Sequence, residues 1–140
     1  MKRSFLLFAV LLVSAITSFA QNRNKNKIDL VIRMGKIEAP EVIDGKVAAV
    51  HTTRAEILKN ARLVSTASNC EVTSYSFSIM AEGHTLTGPF DIKGSELPEK
   101  IKTKIRDWDY PGTQIMIKNI HVSCGGNDHV AYSLFLNYDH

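Results

Sequence analysis

Histidine is the residue type in this chain best suited to bind a metal ion, because a neutral imidazole is a common ligand. The sequence contains five histidines, at His51, His84, His121, His129 and His140. None belongs to a His-Glu-x-x-His motif, and none lies at a zinc-finger spacing from a cysteine. His121 and His129 flank a turn-forming cluster at residues 125–128, where antiparallel pairing would bring them close. A two-histidine site is therefore an alternative to histidines that lie on the surface or on a sheet face.

Nucleophilic catalysis needs a serine or cysteine within hydrogen-bond reach of a base. The sequence has no Gly-x-Ser-x-Gly elbow, and Gly125-Gly126 lacks the Lys-Ser/Thr of a phosphate loop. Asp107 and Asp109 flank Trp108, which suggests a carboxylate pair for glycoside chemistry or a sugar platform. Their place at the end of a predicted helix favours a solvated helix end, with Trp108 buried. We therefore predict no catalytic residue, no cofactor and no metal.

Cys70 and Cys124 are the only cysteines in the chain. In the chain-entropy model, a disulfide closing a loop of this length stabilises a fold by about 4 kcal/mol. Two separate thiols, packed as small hydrophobic groups, are the alternative, because the sequence does not show whether the Cα atoms approach within about 7 Å. We predict the disulfide and keep the free thiols as the alternative.

The first 20 residues have the order of a cleavable signal peptide. Lys2 and Arg3 precede an apolar run at residues 5–13, and Ser18 and Ala20 stand at the −3 and −1 positions of the predicted cleavage site. The apolar stretch is shorter than the roughly 20 residues that a membrane span requires. We therefore expect a periplasmic or secreted protein with no transmembrane segment after cleavage, in a compartment where disulfides persist.

Cleavage lowers the formal charge from +3 to +1, because it removes Lys2 and Arg3. Residues 21–27 are polar and basic and predict a flexible leader. A nucleic-acid surface needs clustered Lys and Arg, and the other basic residues are spread along the chain, so we expect no nucleic-acid partner. Residues 28–140 are enough for one domain with one core.

Alternating apolar residues predict several strands in this domain. The clearest covers residues 71–80, and others are predicted at 28–33, 85–92, 113–123 and 130–136. Within 113–123 the apolar residues change parity between Ile117 and Ile120, which indicates a β-bulge. Together the strands predict a mainly β, sandwich-type fold.

Two short helices complete the prediction. Thr53-Arg54-Ala55-Glu56 has the form of a capping box and predicts a helix to about Lys59. Apolar residues spaced by four and then three positions, at Leu97, Ile101, Ile105 and Trp108, predict a second helix, with Pro98 in its first turn and a basic outer face. The helices are expected to pack on the sheet.

Six features of the sequence follow one another in a recognisable order between residues 42 and 137. They are Asp44-Gly45-Lys46, the capped segment 53–57, the strand 72–78, the helix 101–108, Gly112-x-x-Ile115-x-Ile117-x-x-Ile120, and Tyr132-x-Leu134-x-Leu136. In order and spacing they resemble the C-terminal domain of GldM, the periplasmic subunit of the gliding-motility and type IX secretion motor.

The resemblance implies an immunoglobulin-like β-sandwich that makes protein–protein contacts at the far end of a periplasmic shaft, and it supplies no catalytic residues. A motor subunit also needs a membrane helix and further domains, so we expect a separate terminal module and not a motor. The predicted function is a non-catalytic binding or structural module whose partner is a cell-envelope protein. A small-ligand or carbohydrate-binding domain is the alternative, and a small hydrolase is the weaker one.

Overall fold

The computed structural model describes residues 29–139 of the chain. The predicted signal peptide at 1–20 and the leader at 21–27 lie outside the described residues, as does Ile28. Strands contain 50% of the described residues and two helices contain 14%, so the mainly β class is confirmed. The strands are β1 (Ile32–Met34), β2 (Val42–Ile43), β3 (Lys46–Val47), β4 (Val50–Thr53), β5 (Leu63–Ser65), β6 (Cys70–Met80), β7 (Thr87–Lys93), β8 (Thr113–Cys124), β9 (Asn127–Val130) and β10 (Leu134–Asp139), and the helices are α1 (Arg54–Lys59) and α2 (Glu99–Asp107).

The main sheet has the strand order β4-β10-β8-β6-β7, and β9 also pairs with β8. The pairing of β10 with β4 is parallel, and the other pairings in this sheet are antiparallel. Two small antiparallel ribbons, β1 with β5 and β2 with β3, stand beside it. β1 begins only at Ile32 and is therefore shorter than the predicted strand at residues 28–33.

One face of the main sheet forms the hydrophobic core. Tyr75, Phe77 and Ile79 alternate along β6, and each is 2% exposed or less. Ile57 of α1 and Ile105 of α2 are fully buried and belong to the same cluster. The two helices therefore cover this face of the sheet, as their apolar spacing predicts.

The other face of the main sheet carries polar side chains. Ser74, Ser76 and Ser78 lie between the buried residues of β6 and are only half-buried. Successive residues of a strand point to opposite faces, so these hydroxyls lie opposite the helices. The sheet thus has one core face and one open face, and the open face is available for contacts outside the domain.

The two helices begin close to the predicted residues. The Thr53 hydroxyl accepts a hydrogen bond from the Glu56 N–H at 3.2 Å, so Thr53 caps α1. Only this half of the predicted capping box is present, because the Glu56 carboxylate accepts a hydrogen bond from Asn60 Nδ2. Pro98 occupies the N-cap of α2 and so lies one residue before its predicted place.

The change of parity in β8 is a β-bulge, as predicted. From Lys118 to His121, β8 advances three residues while β6 advances two. Asn119 has a φ of 50°, in the left-handed region where asparagine is one of the few tolerated residues. The extra residue allows Ile117 and Ile120 both to be fully buried.

The final strand of the prediction is wrong in one respect, because residues 130–136 do not form a single strand. β9 ends at Val130, β10 begins at Leu134, and the Val130 side chain is 62% exposed. Ala131 donates its N–H to the carbonyl of Ile120 in the bulged part of β8. The interruption therefore lies opposite the bulge, where a regular partner strand cannot continue.

Candidate functional site

β7 is a terminal strand of the main sheet. Within residues 29–139 it pairs with β6 and with no other strand. An edge strand carries main-chain N–H and C=O groups that a further strand can use. The opposite edge, β4, is only four residues long and leads directly into α1. Within residues 29–139, β7 is therefore longer than β4 and β9, the other strands of this sheet that have a single partner.

The direction of the main-chain groups of β7 follows from its hydrogen bonding. The Gly94 N–H, at the end of the strand, donates to the Thr73 carbonyl of β6 at 2.7 Å. In an antiparallel pair, residues alternate between those that bond the neighbouring strand and those whose groups point away. Ile92 lies two residues before Gly94, so its N–H and C=O groups also point towards β6. The N–H and C=O groups of Asp91 and Lys93 therefore point away from β6, at the edge of the sheet.

The beginning of β7 limits this edge. Pro89 has the same parity as Asp91, but proline has no N–H to offer to another strand. The preceding Gly88 has a φ of 112°, and a Cβ atom there would lie 2.7 Å from the Phe77 carbonyl oxygen. The usable edge is therefore a short segment around Asp91 and Lys93.

Three lysines border this edge. The Nζ atoms of Lys100 and Lys104 on α2 lie 5.8 and 5.2 Å from the ring centroid of Phe90 on β7. A cation near an aromatic ring is attracted to the negative face of its π-system. Lys93 lies on the strand itself and is exposed. We call Lys93, Lys100 and Lys104 the lysine border.

A shallow cleft of about 450 Å³ lies on the open face beside β7. His121 of β8 lies opposite Ser74 of β6, and its Nδ1 atom is 3.0 Å from Asp128 Oδ2. These are the residue types of a nucleophilic triad. No hydrogen bond within the described part of the chain joins the Ser74 hydroxyl to His121, and the His121 and Asp128 side chains are 41% and 64% exposed. Because water screens such a pair, the arrangement fits a surface contact better than an activated nucleophile.

Aromatic rings gather where α2 ends. Tyr110 and His84 are stacked with ring centroids 3.8 Å apart, and Trp108 meets Tyr110 edge-on at 5.4 Å. Trp108 is half-buried, whereas the sequence predicted a buried side chain. Its Nε1 atom is enclosed without a hydrogen-bond partner among residues 29–139. Tyr110 is 39% exposed, so this cluster offers an aromatic surface to solvent.

A second cleft, of about 490 Å³, lies on the open face of the sheet. His51, Gln114 and Asn137 occupy one row across three strands, and Gln114 Nε2 donates to Asn137 Oδ1 at 2.8 Å. Tyr138 also lines it, and its hydroxyl donates to the Trp108 carbonyl at 3.0 Å. Burial raises the pKa of this hydroxyl above its usual value.

The histidines do not converge on a metal site. β8 and β9 pair as predicted, but His121 lies opposite Val130 and His129 lies opposite Val122. The two histidines therefore point to opposite faces of the ribbon, and the two-histidine alternative is wrong. No group of three or more His, Cys, Asp or Glu residues between 29 and 139 is arranged to hold a metal ion. His140 lies outside the described residues.

The two aspartates beside Trp108 are at the predicted helix end. Asp107 is the last residue of α2 and is exposed. Asp109 Oδ1 lies 3.1 Å from Arg54 Nη1 of α1, and its side chain is 66% exposed. This ion pair joins Asp109, two residues beyond the end of α2, to α1.

A disulfide joins Cys70 and Cys124, as predicted, with their Cα atoms 4.2 Å apart. The two residues are direct partners in the register of β6 and β8. The bond therefore joins one end of the two longest strands of the sheet. It also fixes the position of the turn at Gly125 and Gly126, which leads into β9.

Within residues 29–139, no helix has the length and apolar character needed to cross a membrane. No family model matches this chain, and no curated protein matches it either.

Proposed function

We propose that this protein is an exported, non-catalytic module that binds another protein of the cell envelope through the β7 edge. The observation that carries the proposal is the outward direction of the main-chain groups of Asp91 and Lys93. Two residues with free N–H and C=O groups can form up to four hydrogen bonds with an added strand. The side chains around the edge then select the partner.

Export is supported by the signal-peptide pattern at residues 1–20 and by the Cys70–Cys124 disulfide. The resemblance to the terminal domain of GldM favours a protein-binding role and an immunoglobulin-like sandwich. The mainly β class and the presence of several sheets agree with that arrangement at the coarse level. We keep both the envelope location and the sandwich as parts of the proposal.

Site-specific photo-crosslinking tests the proposal. A photoreactive amino acid replaces Lys93 in one variant and the exposed Lys46 on β3 in a control variant. After irradiation of whole cells, we expect a discrete adduct with one envelope protein from position 93 and no such adduct from position 46. The proposal fails when both positions give the same adducts, or when position 93 gives none.

A carbohydrate or small polar ligand is the second candidate function. The stacked rings of His84 and Tyr110 and the row of His51, Gln114 and Asn137 offer the aromatic and amide groups that recognise sugars. Titration with soluble oligosaccharides should then quench the fluorescence of the single tryptophan, Trp108, and Tyr110→Ala should abolish the change. Identical spectra with and without sugars would remove this candidate.

A further inference from the structure

We infer that the segment bound at β7 is an extended strand with Asp or Glu side chains on the side that faces α2. This inference rests on the proposed function, because it names the chemistry of the partner at the same edge. It is carried by the juxtaposition of the free edge at Asp91 and Lys93 with the ammonium groups of Lys100 and Lys104.

The charges around the edge favour an acidic strand. Lys100 and Lys104 are one helical turn apart and both lie over Phe90, on the core side of β7. A strand added beside β7 would place every second side chain next to these ammonium groups. Carboxylates at those positions gain attraction at close range and steer the approach of the partner, whereas lysines would be repelled.

Among the described residues, neither Glu99 nor Asp91 forms an ion pair with Lys100 or Lys104. Glu99, at the start of α2, is held by Arg106 at 2.7 Å and by Lys102 at 3.7 Å, both on the same helix. Asp91 accepts a hydrogen bond from the Ser76 hydroxyl at 2.7 Å on the open face. Glu99 is therefore paired within α2, and Asp91 lies on the face of β7 opposite the one that Lys100 and Lys104 approach.

Two other occupants fit the edge less well. A second copy of β7, added antiparallel around Ile92, would set Asp91 against the partner Lys93, but it would also bring Lys100 and Lys104 of both copies together across the seam. Like charges at such an edge are a common means of preventing self-pairing. The chain's own residues 21–27 are basic, so they share the sign of the border.

Peptide binding to the mature protein tests the inference. The probes are fluorescein-labelled peptides of about nine residues, in which Thr alternates with Glu, Thr alternates with Lys, or the Glu peptide carries central prolines. We expect the Glu peptide to bind at least about tenfold more tightly than the Lys peptide, and its affinity to fall as salt rises. The proline peptide should not bind, because it cannot pair as a strand.

Charge-reversed variants locate the effect. Lys100→Glu with Lys104→Glu should lower the affinity for the Glu peptide at least about tenfold and favour the Lys peptide. Lys36→Glu with Lys46→Glu makes the same change of net charge on exposed residues outside β7 and α2, and it should change the affinity less than about threefold. Equal losses of affinity in the two variants would mean that binding depends only on the net charge of the protein, and this would overturn the inference.

Amide exchange identifies the bound edge. The N–H groups of Asp91 and Lys93 should exchange quickly in the free protein and become protected when the Glu peptide binds. Protection at these two amides without peptide, at high protein concentration, would show that a second copy is the occupant. Equal binding of the Glu and Lys peptides, or no binding of either, would also overturn the acidic partner. The cross-linking at position 93 tests the proposed function separately, and its outcome does not depend on partner charge.

Discussion

Cys70 and Cys124 face each other across β6 and β8 and are bonded at the end of the ladder that these two strands form. The bond lies at the opposite end of β6 from Met80, where the strand leads towards β7. Folding of the sheet centre depends on apolar burial along both strands, while the disulfide restrains the end that leads into β9. The two contributions can be separated by experiment.

Replacing both cysteines by alanine should lower the free energy of unfolding without changing the fold. The bond closes a loop with a sequence separation of 54, for which the chain-entropy model gives a loss of about 4 kcal/mol. Urea unfolding of the oxidised protein, the reduced protein and the Cys70→Ala/Cys124→Ala variant measures the loss. The reduced protein and the variant should agree, and an unchanged midpoint in both would contradict the prediction.

The buried strand pattern was predictable from sequence because burial itself imposes the alternation. Tyr75, Phe77 and Ile79 could be assigned to one face from their spacing alone, and the bulge in β8 followed from the parity change after Ile117. Both signals are local. They depend only on which side chains must leave water along one strand.

The candidate site was not predictable in the same way, because an edge is defined by the absence of a neighbouring strand. The sequence around Asp91 and Lys93 contains no sign that β7 would be terminal, apart from Pro89, which favours edge positions. The approach of Lys100 and Lys104 to Phe90 depends on how α2 packs on the sheet. Long-range arrangements of this kind leave no periodic signal in the chain.

The bulge at Asn119 predicts a simple mutational pattern. Asn119→Gly should be tolerated, because glycine adopts a φ of 50° without strain. Asn119→Val should lower the free energy of unfolding by about 1–2 kcal/mol, because a β-branched residue is disfavoured in the left-handed region. Asn127→Val on β9 is the control, since it places valine at an exposed strand position. Equal effects of the two valines in urea unfolding would show that the bulge imposes no such restriction.

The main chain of Gly88 lies so close to β6 that a larger side chain should be tolerated poorly. Gly88→Ala should destabilise the protein more than Gly83→Ala, although both residues have positive φ. A Cβ atom at Gly88 would lie 2.7 Å from the Phe77 carbonyl oxygen, whereas nothing lies within 4 Å of one at Gly83. We expect Gly83→Ala to cost about 1–2 kcal/mol from backbone strain alone, and Gly88→Ala to cost more. Thermal unfolding of both variants provides the comparison, and a smaller effect at Gly88 would contradict it.

Burial of the Tyr75 hydroxyl predicts that the protein loses stability in alkali. Its hydroxyl donates to the Glu96 carbonyl at 2.8 Å, and burial raises the pKa of the phenol well above its usual value near 10. The unfolded chain therefore releases this proton at a lower pH than the folded protein does. The stabilising contribution is complete below about pH 10 and declines as pH rises further, because only the unfolded state is then deprotonated.

Comparison of Tyr75→Phe with the exposed control Tyr110→Phe isolates this effect. At neutral pH, Tyr75→Phe should lose about 1 kcal/mol with its hydrogen bond, but its free energy of unfolding should fall less steeply between pH 9 and pH 11 than that of the original protein. Some slope remains, because burial also raises the pKa of Tyr138. Urea unfolding at each pH gives the slopes. Parallel curves for Tyr75→Phe and the original protein would show that the Tyr75 phenol ionises equally easily in both states, and the buried hydrogen bond would then not hold its proton.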